Sequence, residues 1–387
     1  MHVTRTIHPI GQGAFYSERL QFGERGICVV YDCGCENQST PCPHAQGIIS
    51  TAFDADDKID LLFISHFHQD HVNGIKELLK KYTIEKVIIP YIDKNTLYVL
   101  TQYNDLIKAV TGEDFFMDPH PLFEGGNTQI MEVHPLEGDY VPREPISIDS
   151  LNSRTSLNSG TKISIPYIDH HRQIDGWFYQ PFCIVVQFEM IKDLQNKLSG
   201  INLDDALKEQ VKINEIKKAY HDTINTRINQ TSMMVFSAPL NIEYNNLYCK
   251  YPRSGARILT NRRFNRYISI CEDDSRRKNC VCSAPSPSCL YTGDIKLSDD
   301  VINLMKTILG NYYIGTFQVP HHGAKDQGNE KILFSLPLHP CTLFFVSYGL
   351  NNKYGHPSST TKGIYQCNGK LLVPVNEYIC NELNQKF

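Results

Sequence analysis

Short unbroken apolar runs alternate along this chain with stretches in which apolar residues recur every three or four positions. Residues 6–34 read as a strand, a glycine-rich turn at Gly11-Gln12-Gly13 and a hairpin. Within them Ile27-Cys28-Val29-Val30-Tyr31 is a buried strand that ends in a turn at Asp32-Cys33-Gly34. Asp60–Ser65 is a second short buried strand. The segment after it places Ile75, Leu78, Leu79 and Tyr82 on one face of a helix over 72–82. Glu85–Pro90 reads as the next strand. Residues 95–111 form a helix with an apolar stripe of Leu97, Leu100, Tyr103, Ile107 and Val110, and Thr128–Val133 is a further strand. Residues 136–228 break this rhythm and read as an insertion. It carries an amphipathic helix within 187–220 whose inward positions are Leu203, Ala206, Leu207, Val211, Ile216 and Tyr220. Strand signals return before Asp294, where Leu290-Tyr291 leads into Thr292-Gly293, and at Thr342–Val346, which turns at Ser347 and Gly349.

The chemistry concentrates where the Asp60–Ser65 strand ends. His66, His68, Asp70 and His71 follow four apolar residues and Ser65. Imidazoles and a carboxylate placed there are costly unless something binds them. Nitrogen and oxygen donors of this kind suit Zn²⁺, and also Mn²⁺ or Fe. His66 and His68 can converge on one ion from a tight loop, while Asp70 and His71 point elsewhere and can hold a second. Two ions about 3.5–4 Å apart are the arrangement of two-metal hydrolytic sites.

Bulk composition narrows the setting. The chain has 387 residues, is 41% hydrophobic and carries a net charge of −4, which supports a full core and excludes a polycation. No run approaches the roughly 20 apolar residues of a membrane span. Met1-His2-Val3-Thr4-Arg5 lacks the layout of a secretion signal, so a cytoplasmic protein without membrane contact is expected. The 13 cysteines are then expected as reduced thiols, the alternatives being structural Zn²⁺ at Cys271, Cys280, Cys282 and Cys289 or at Cys33, Cys35, Cys42 and His44. One charge feature stands out on this acidic chain. Between Lys250 and Lys278 nine Lys and Arg face three acids, with Tyr251, Phe264 and Tyr267 interspersed. Arg262, Arg263 and Arg266 there suit phosphate groups, and the aromatics suit stacked bases. A solvated loop is the plainer reading of the same stretch.

The His66-x-His68-x-Asp70-His71 motif resembles that of the metallo-β-lactamase-fold hydrolases. Further pieces resemble one branch of that fold, the nuclease-like domain of ComEC, the DNA-uptake channel protein of competent bacteria. They are Gly11-Gln12-Gly13 (with Pro9 where the branch has aspartate), Asn229-x-x-Ser232 before a strand, Thr292-Gly293-Asp294, His321-His322-Gly323-Ala324, and Ser347-x-Gly349-x-x-Asn352-x-Tyr354-Gly355-His356-Pro357. The resemblance covers about 200 residues in pieces. It implies an α/β, four-layer αββα sandwich occupying residues 1–387 as one domain, with insertions at about 136–228 and 240–288. It also implies two divalent ions, Zn²⁺ foremost, held by His66, His68, Asp70, His71, His134 and His322 and bridged by Asp294. His321 is then a supporting residue or alternative ligand, and Asn352 touches substrate.

The reaction expected on these grounds is hydrolysis by a hydroxide shared between the two ions, with Asp70, Asp294 and His356 as catalytic groups and His356 donating a proton or hydrogen bond to the leaving oxygen. Fold alone does not select a substrate. The branch resembled and the basic stretch favour a phosphodiesterase or nuclease acting on nucleic acid or a nucleotide. A small-molecule ester or lactone hydrolase, and a partner-binding module with a vestigial site, are the alternatives. Either insertion could dock a protein partner.

Overall fold

A computed structural model of the chain describes residues 2–36, 40–111, 116–136, 138–169, 172–184, 193, 196–197, 214–216, 218–219, 222, 228–242, 256–261, 266–269 and 286–386. Among these residues the strands form two sheets. Those of the first half are β1 (His2–Ile7), β2 (Gly13–Phe22), β3 (Arg25–Cys35), β4 (Lys58–Phe63), β5 (Thr83–Pro90), β6 (Gln129–His134), β7 (Ile146–Ser147), β8 (Leu157–Asn158), β9 (Ile163–Asp169) and β10 (Arg172–Phe182). The second half adds β11 (Met234–Pro239), β12 (Ala256–Asn261), β13 (Arg266–Ser269), β14 (Cys289–Tyr291), β15 (Ile314–Gln318), β16 (Leu338–Ser347), β17 (Leu371–Val375) and β18 (Asn381–Lys386). One sheet runs β13-β12-β18-β1-β2-β3-β4-β5-β6-β8 and the other β17-β16-β15-β14-β11-β10-β9-β7. Strands β3, β4, β5, β6 and β8 are mutually parallel, as are β14 to β17.

Strict alternation inside the apolar runs explains the layering. Leu61, Phe63 and Ile88 point into a core shared with Ile163, Trp177, Tyr179 and Tyr291 of the opposite sheet. Leu62, Ile64, Val87 and Ile89 point the other way, into a core with Ala45, Ile49 and Leu78. Those last side chains belong to α1 (Pro43–Ser50) and α3 (Ile75–Leu79), which lie with α2 (Gln69–Val72) and α4 (Lys94–Thr111) on that outer face. The second sheet's outer face is covered by α5 (Asp299–Leu309), α6 (Asn329–Ser335) and α7 (Ser359–Cys367), through Val301, Met305, Ile332 and Tyr365. A strand buried on both faces reads as a continuous apolar run, which is why these strands are legible in the sequence. The result is a mixed α/β sandwich of αββα type. No helix among the described residues is long and apolar enough to cross a membrane.

Three sequence expectations change. The helix over 72–82 is broken, because the Asn73 side chain turns back to bond the Cys35 backbone at N (3.0 Å) and O (2.7 Å), and α2 ends there. The supposed insertion at 136–228 contains β9 and β10, which pair with each other and with β11 in the second sheet and bury Trp177, Phe178 and Phe182. In the supposed insertion at 240–288, β12 and β13 extend the first sheet beyond β18. Most of the amphipathic stripe expected within 187–220 lies outside the described residues; Ile216 is buried in the core under the first sheet's helices.

The centre of the sandwich holds an ion pair. Arg5 Nε donates to Glu18 Oε1 at 2.6 Å, with both side chains buried. Glu18 also accepts from Tyr291 (2.9 Å), Tyr179 (2.7 Å) and Ser237 (2.6 Å), groups of the opposite sheet. Removing one member of such a pair strands the other charge. Glu18→Gln should therefore lower stability by about 3–5 kcal/mol, read as a fall in the urea midpoint at unchanged slope.

Candidate metal centre

The ends of parallel strands from both sheets meet at one rim. From the first sheet, β4 ends at Phe63, and residues 64–68 lead into α2, whose helical turn carries Asp70 and His71. This helix sits directly on the end of β3. A Cβ at Gly34 would lie 2.6 Å from the His71 backbone nitrogen, so only glycine allows the approach. From the second sheet, the turn after β14 delivers Asp294. Its shape is held by the Gln318 side chain, which accepts from Thr292 N (2.9 Å) and Gly293 N (3.2 Å), while Ser232 Oγ accepts from Asp294 N (3.3 Å). The segment after β15 delivers His321 and His322, both at positive φ (49° and 53°), a rare backbone region for side-chain-bearing residues. Hydrogen bonds from His321 N to Gly293 O (3.3 Å) and from Ala324 N to His321 O (2.8 Å) hold it there.

Asp70, His71, Asp294 and His322 converge, with one ligand atom from each lying within 4.8 Å of the others, all buried. His71 Nε2 is 3.2 Å from Asp294 Oδ1, and His322 Nε2 is 3.3 Å from Asp70 Oδ2. The rings of His66 and His68 adjoin this set, His66 lying 4.2 Å from His71 and 4.8 Å from His68 between centroids. Four buried atoms here make no hydrogen bond: Nε2 of His66, His68 and His71, and Oδ1 of Asp294. The close approach of His71 to Asp294 is thus a charge contact without hydrogen-bond geometry.

The opposite ring nitrogens are spoken for. His71 Nδ1 donates to Asp32 Oδ2 (2.8 Å), and His322 Nδ1 donates to the Ser347 carbonyl (3.0 Å). His66 Nδ1 lies 2.9 Å from Ser65 Oγ, which itself donates to Asp32 (2.7 Å). This is how metal-ligating histidines are oriented, with one nitrogen anchored and Nε2 turned to the ion. Unpartnered nitrogens and a carboxylate oxygen, all buried and all aimed inward, fit a divalent cation of the zinc type. The cluster could bind metal.

Charge follows from the same geometry. Burial pulls His66 down, and His68 down to about 4, leaving both neutral donors. Burial works the same way on His71 and His322, but Asp294 with Asp32 and Asp70 outweighs it, and both are raised. Asp70 and Asp294 are buried too, yet the facing imidazoles hold them below the usual carboxylate range.

Other expected residues fall elsewhere. His134, expected as a third histidine ligand, is not in the converging set. It stacks on Tyr91 (4.3 Å) and lines a cavity of about 380 Å³ with His120, Glu132 and Arg154. His321 stands beside the cluster, Nε2 3.8 Å from Asp294 Oδ2, with the Asn229 amide 3.4 Å from its ring nitrogens. Asn352, expected to touch substrate, has its side chain engaged in its own turn. Its amide donates to Gly349 O (2.6 Å) and His356 O (2.8 Å) and accepts from Tyr354 N (3.1 Å) and His356 N (2.9 Å), which builds the turn that carries His356. That ring stacks 6.1 Å from His322 and meets His321 edge-on at 5.5 Å. Arg262 and Arg263 lie outside the described residues, as do Cys271, Cys280 and Cys282; Arg266 stands on β13, and Cys289 is a free thiol buried between the sheets. Cys33 and Cys35 are likewise free and buried, and His44 Nε2 donates to Pro9 O (3.0 Å). Asp32 escaped the sequence reading, although an acid closing an apolar strand is itself a signal.

Two outcomes are expected. Asp32→Asn should weaken zinc affinity by about 10–100-fold, measured by competition with a chromogenic chelator, with the fold retained by circular dichroism. The raised values of His71 and His322 give the metal-free protein a stabilising term that is fully present below their ordinary value near 6.5 and is lost as pH rises through the folded values. Zinc must displace those protons, so its affinity and its increment to Tm should both grow as pH rises through neutrality. Calorimetry in buffers of different ionisation enthalpy should register proton release on binding.

Residues 21–186 match the family model described as the metallo-beta-lactamase superfamily. No curated protein matches the chain. Among solved structures, an archaeal metallo-beta-lactamase superfamily protein from Sulfolobus tokodaii matches at 17% identity and a TM-score of 0.22, over 46% of this chain and 54% of that one, so the match spans about half of that protein's length. The match over residues 21–186 to the metallo-beta-lactamase superfamily model and the two-sheet αββα fold agree with each other.

Proposed function

We propose that the protein is a metal-dependent hydrolase of phosphodiesters, acting on nucleic acid or a nucleotide. The observation that carries the hydrolase reading is the inward convergence of Asp70, His71, Asp294 and His322 beside the unpartnered nitrogens of His66 and His68. When bound, divalent ions supply Lewis acidity and make water a nucleophile near neutral pH. His66, His68, Asp70, His71, Asp294 and His322 would hold them, Asp294 facing His71, His321 and His322.

The chain's own groups then divide the work. Asp32 and Ser65 orient His71 and His66, and Ser347 orients His322. Burial, with His322 and His321 as neighbours, pulls His356 down to about 4, so it enters the reaction as a neutral imidazole. Its contribution is a hydrogen bond to the leaving oxygen rather than a proton from an imidazolium. The phosphodiester reading is supported by the closing motif that ends at His356-Pro357 and by Arg262, Arg263 and Arg266, whose guanidinium forks suit phosphate oxygens.

Asp294→Asn should abolish turnover and lower metal content with the fold intact. The substrate class is tested by replacing Arg262, Arg263 and Arg266 together with Gln. Binding of a single-stranded oligonucleotide should weaken and its log–log salt slope should flatten by about two to three, while hydrolysis of bis-p-nitrophenyl phosphate stays level. A wild-type protein that cleaves lactones or thioesters and no phosphodiester would replace this reading with the ester-hydrolase alternative.

A further inference from the structure

The Gly11-Gln12-Gly13 turn lies against the loop that carries His356. Gln12 is buried, and its two amide atoms face different partners. Oε1 accepts from the backbone N–H of Gly349 (3.2 Å), and Nε2 stands 3.4 Å from His356 Nδ1. The first contact settles the second. A backbone N–H can only donate, so the amide oxygen must face Gly349 and the NH₂ must face the imidazole. Facing an NH₂ donor, Nδ1 serves as an acceptor, and the ring proton resides on Nε2. The approach is built in, because a Cβ on Gly349 would lie 3.0 Å from Gln12 Cβ. The next residue of the loop is held as well: Glu377 accepts from Leu350 N (3.0 Å).

We propose that Gln12 is a positioning residue that holds His356 in its Nε2–H tautomer and thereby makes it a hydrogen-bond donor toward the leaving oxygen. The proposal rests on the reading of His356 given above. With Nδ1 engaged by Gln12, Nε2 is the nitrogen left to face substrate, and it carries the hydrogen that a developing oxyanion needs.

Gln12→Glu is the discriminating variant. One carboxylate oxygen still accepts from Gly349 N–H, but the other now faces Nδ1 as an acceptor and draws the proton to it. Histidine-selective ¹⁵N NMR of the zinc-loaded protein, with His356 assigned by its loss in His356→Ala, should show an Nε2–H ring in the wild type and an Nδ1–H ring in Gln12→Glu. Turnover of a diester with an alkoxide leaving group should fall about 10²–10³-fold in Gln12→Glu and in His356→Ala, while a nitrophenyl diester, whose leaving group needs no donor, changes little. Gln12→Met, which removes both contacts, should mix the tautomers and fall between. An Nδ1–H ring in the wild type, an unchanged ring in Gln12→Glu, or equal losses on both diesters would overturn the proposal. The NMR arm reads the tautomer whatever the substrate is, so a failure of the phosphodiesterase reading would appear separately, as a wild type inactive on both diesters.

Discussion

The carboxylate of Asp32 is shut away from water at the end of β3, where a charge without partners would cost several kcal/mol. Three hydrogens meet that demand: Ser65 N (2.6 Å), Ser65 Oγ (2.7 Å) and His71 Nδ1 (2.8 Å). They come from the end of the neighbouring strand and from the helix beyond it, so satisfying one acid brings β3, β4 and α2 into register at the rim. The same bonds turn the Nε2 atoms of His71 and His66 inward. The orientation of the candidate ligands is thus a by-product of a buried carboxylate completing its hydrogen bonds.

The opposite half of the cluster depends on the other sheet. Met233 N donates to Ser65 O (2.7 Å), and Tyr31 OH donates to Met233 O (2.8 Å), which ties the residue leading into β11 to the ends of β3 and β4. Deeper in the sandwich, Arg5 and Glu18 with Tyr179, Tyr291 and Ser237 allow little freedom in how the two sheets lie, because any slide leaves one of these groups unpaired. Asp294 and His322 therefore reach Asp70 and His71 only in the packed sandwich. The donor cluster is therefore complete only when the two sheets are packed, and an ion held there would in turn tie them together.

Local order along the chain decided how much could be read in advance. His66, His68, Asp70 and His71 are contiguous and follow an apolar run buried on both faces, so strand, loop and donor set were all visible. Asp294 follows a short apolar strand and a glycine turn, while His322, with His321 as its alternative, was reached only through the family resemblance. Strands β9 and β10 were not, because β10's outer partner β11 comes some 50 residues later and a charged segment lies at the hairpin between them. Neither periodicity nor composition reports a pairing made across that distance.

Side-chain roles divide along the same line. From residue types and spacing alone come the cluster of candidate metal ligands at His66–His71, the strands β3 to β6 with the helix before β6, and the position of His356 in a Gly-Pro turn. Tertiary structure decided that His322 rather than His321 faces Asp70, that His134 stacks on Tyr91 instead of joining the cluster, that the Asn352 amide is consumed by its own turn, and that Gln12 meets His356 across 344 positions of sequence. The physical reason is common to all four. A side chain's chemistry is local to its residue, but the partner that completes or consumes its hydrogen bonds is set by how the folded backbone places its neighbours.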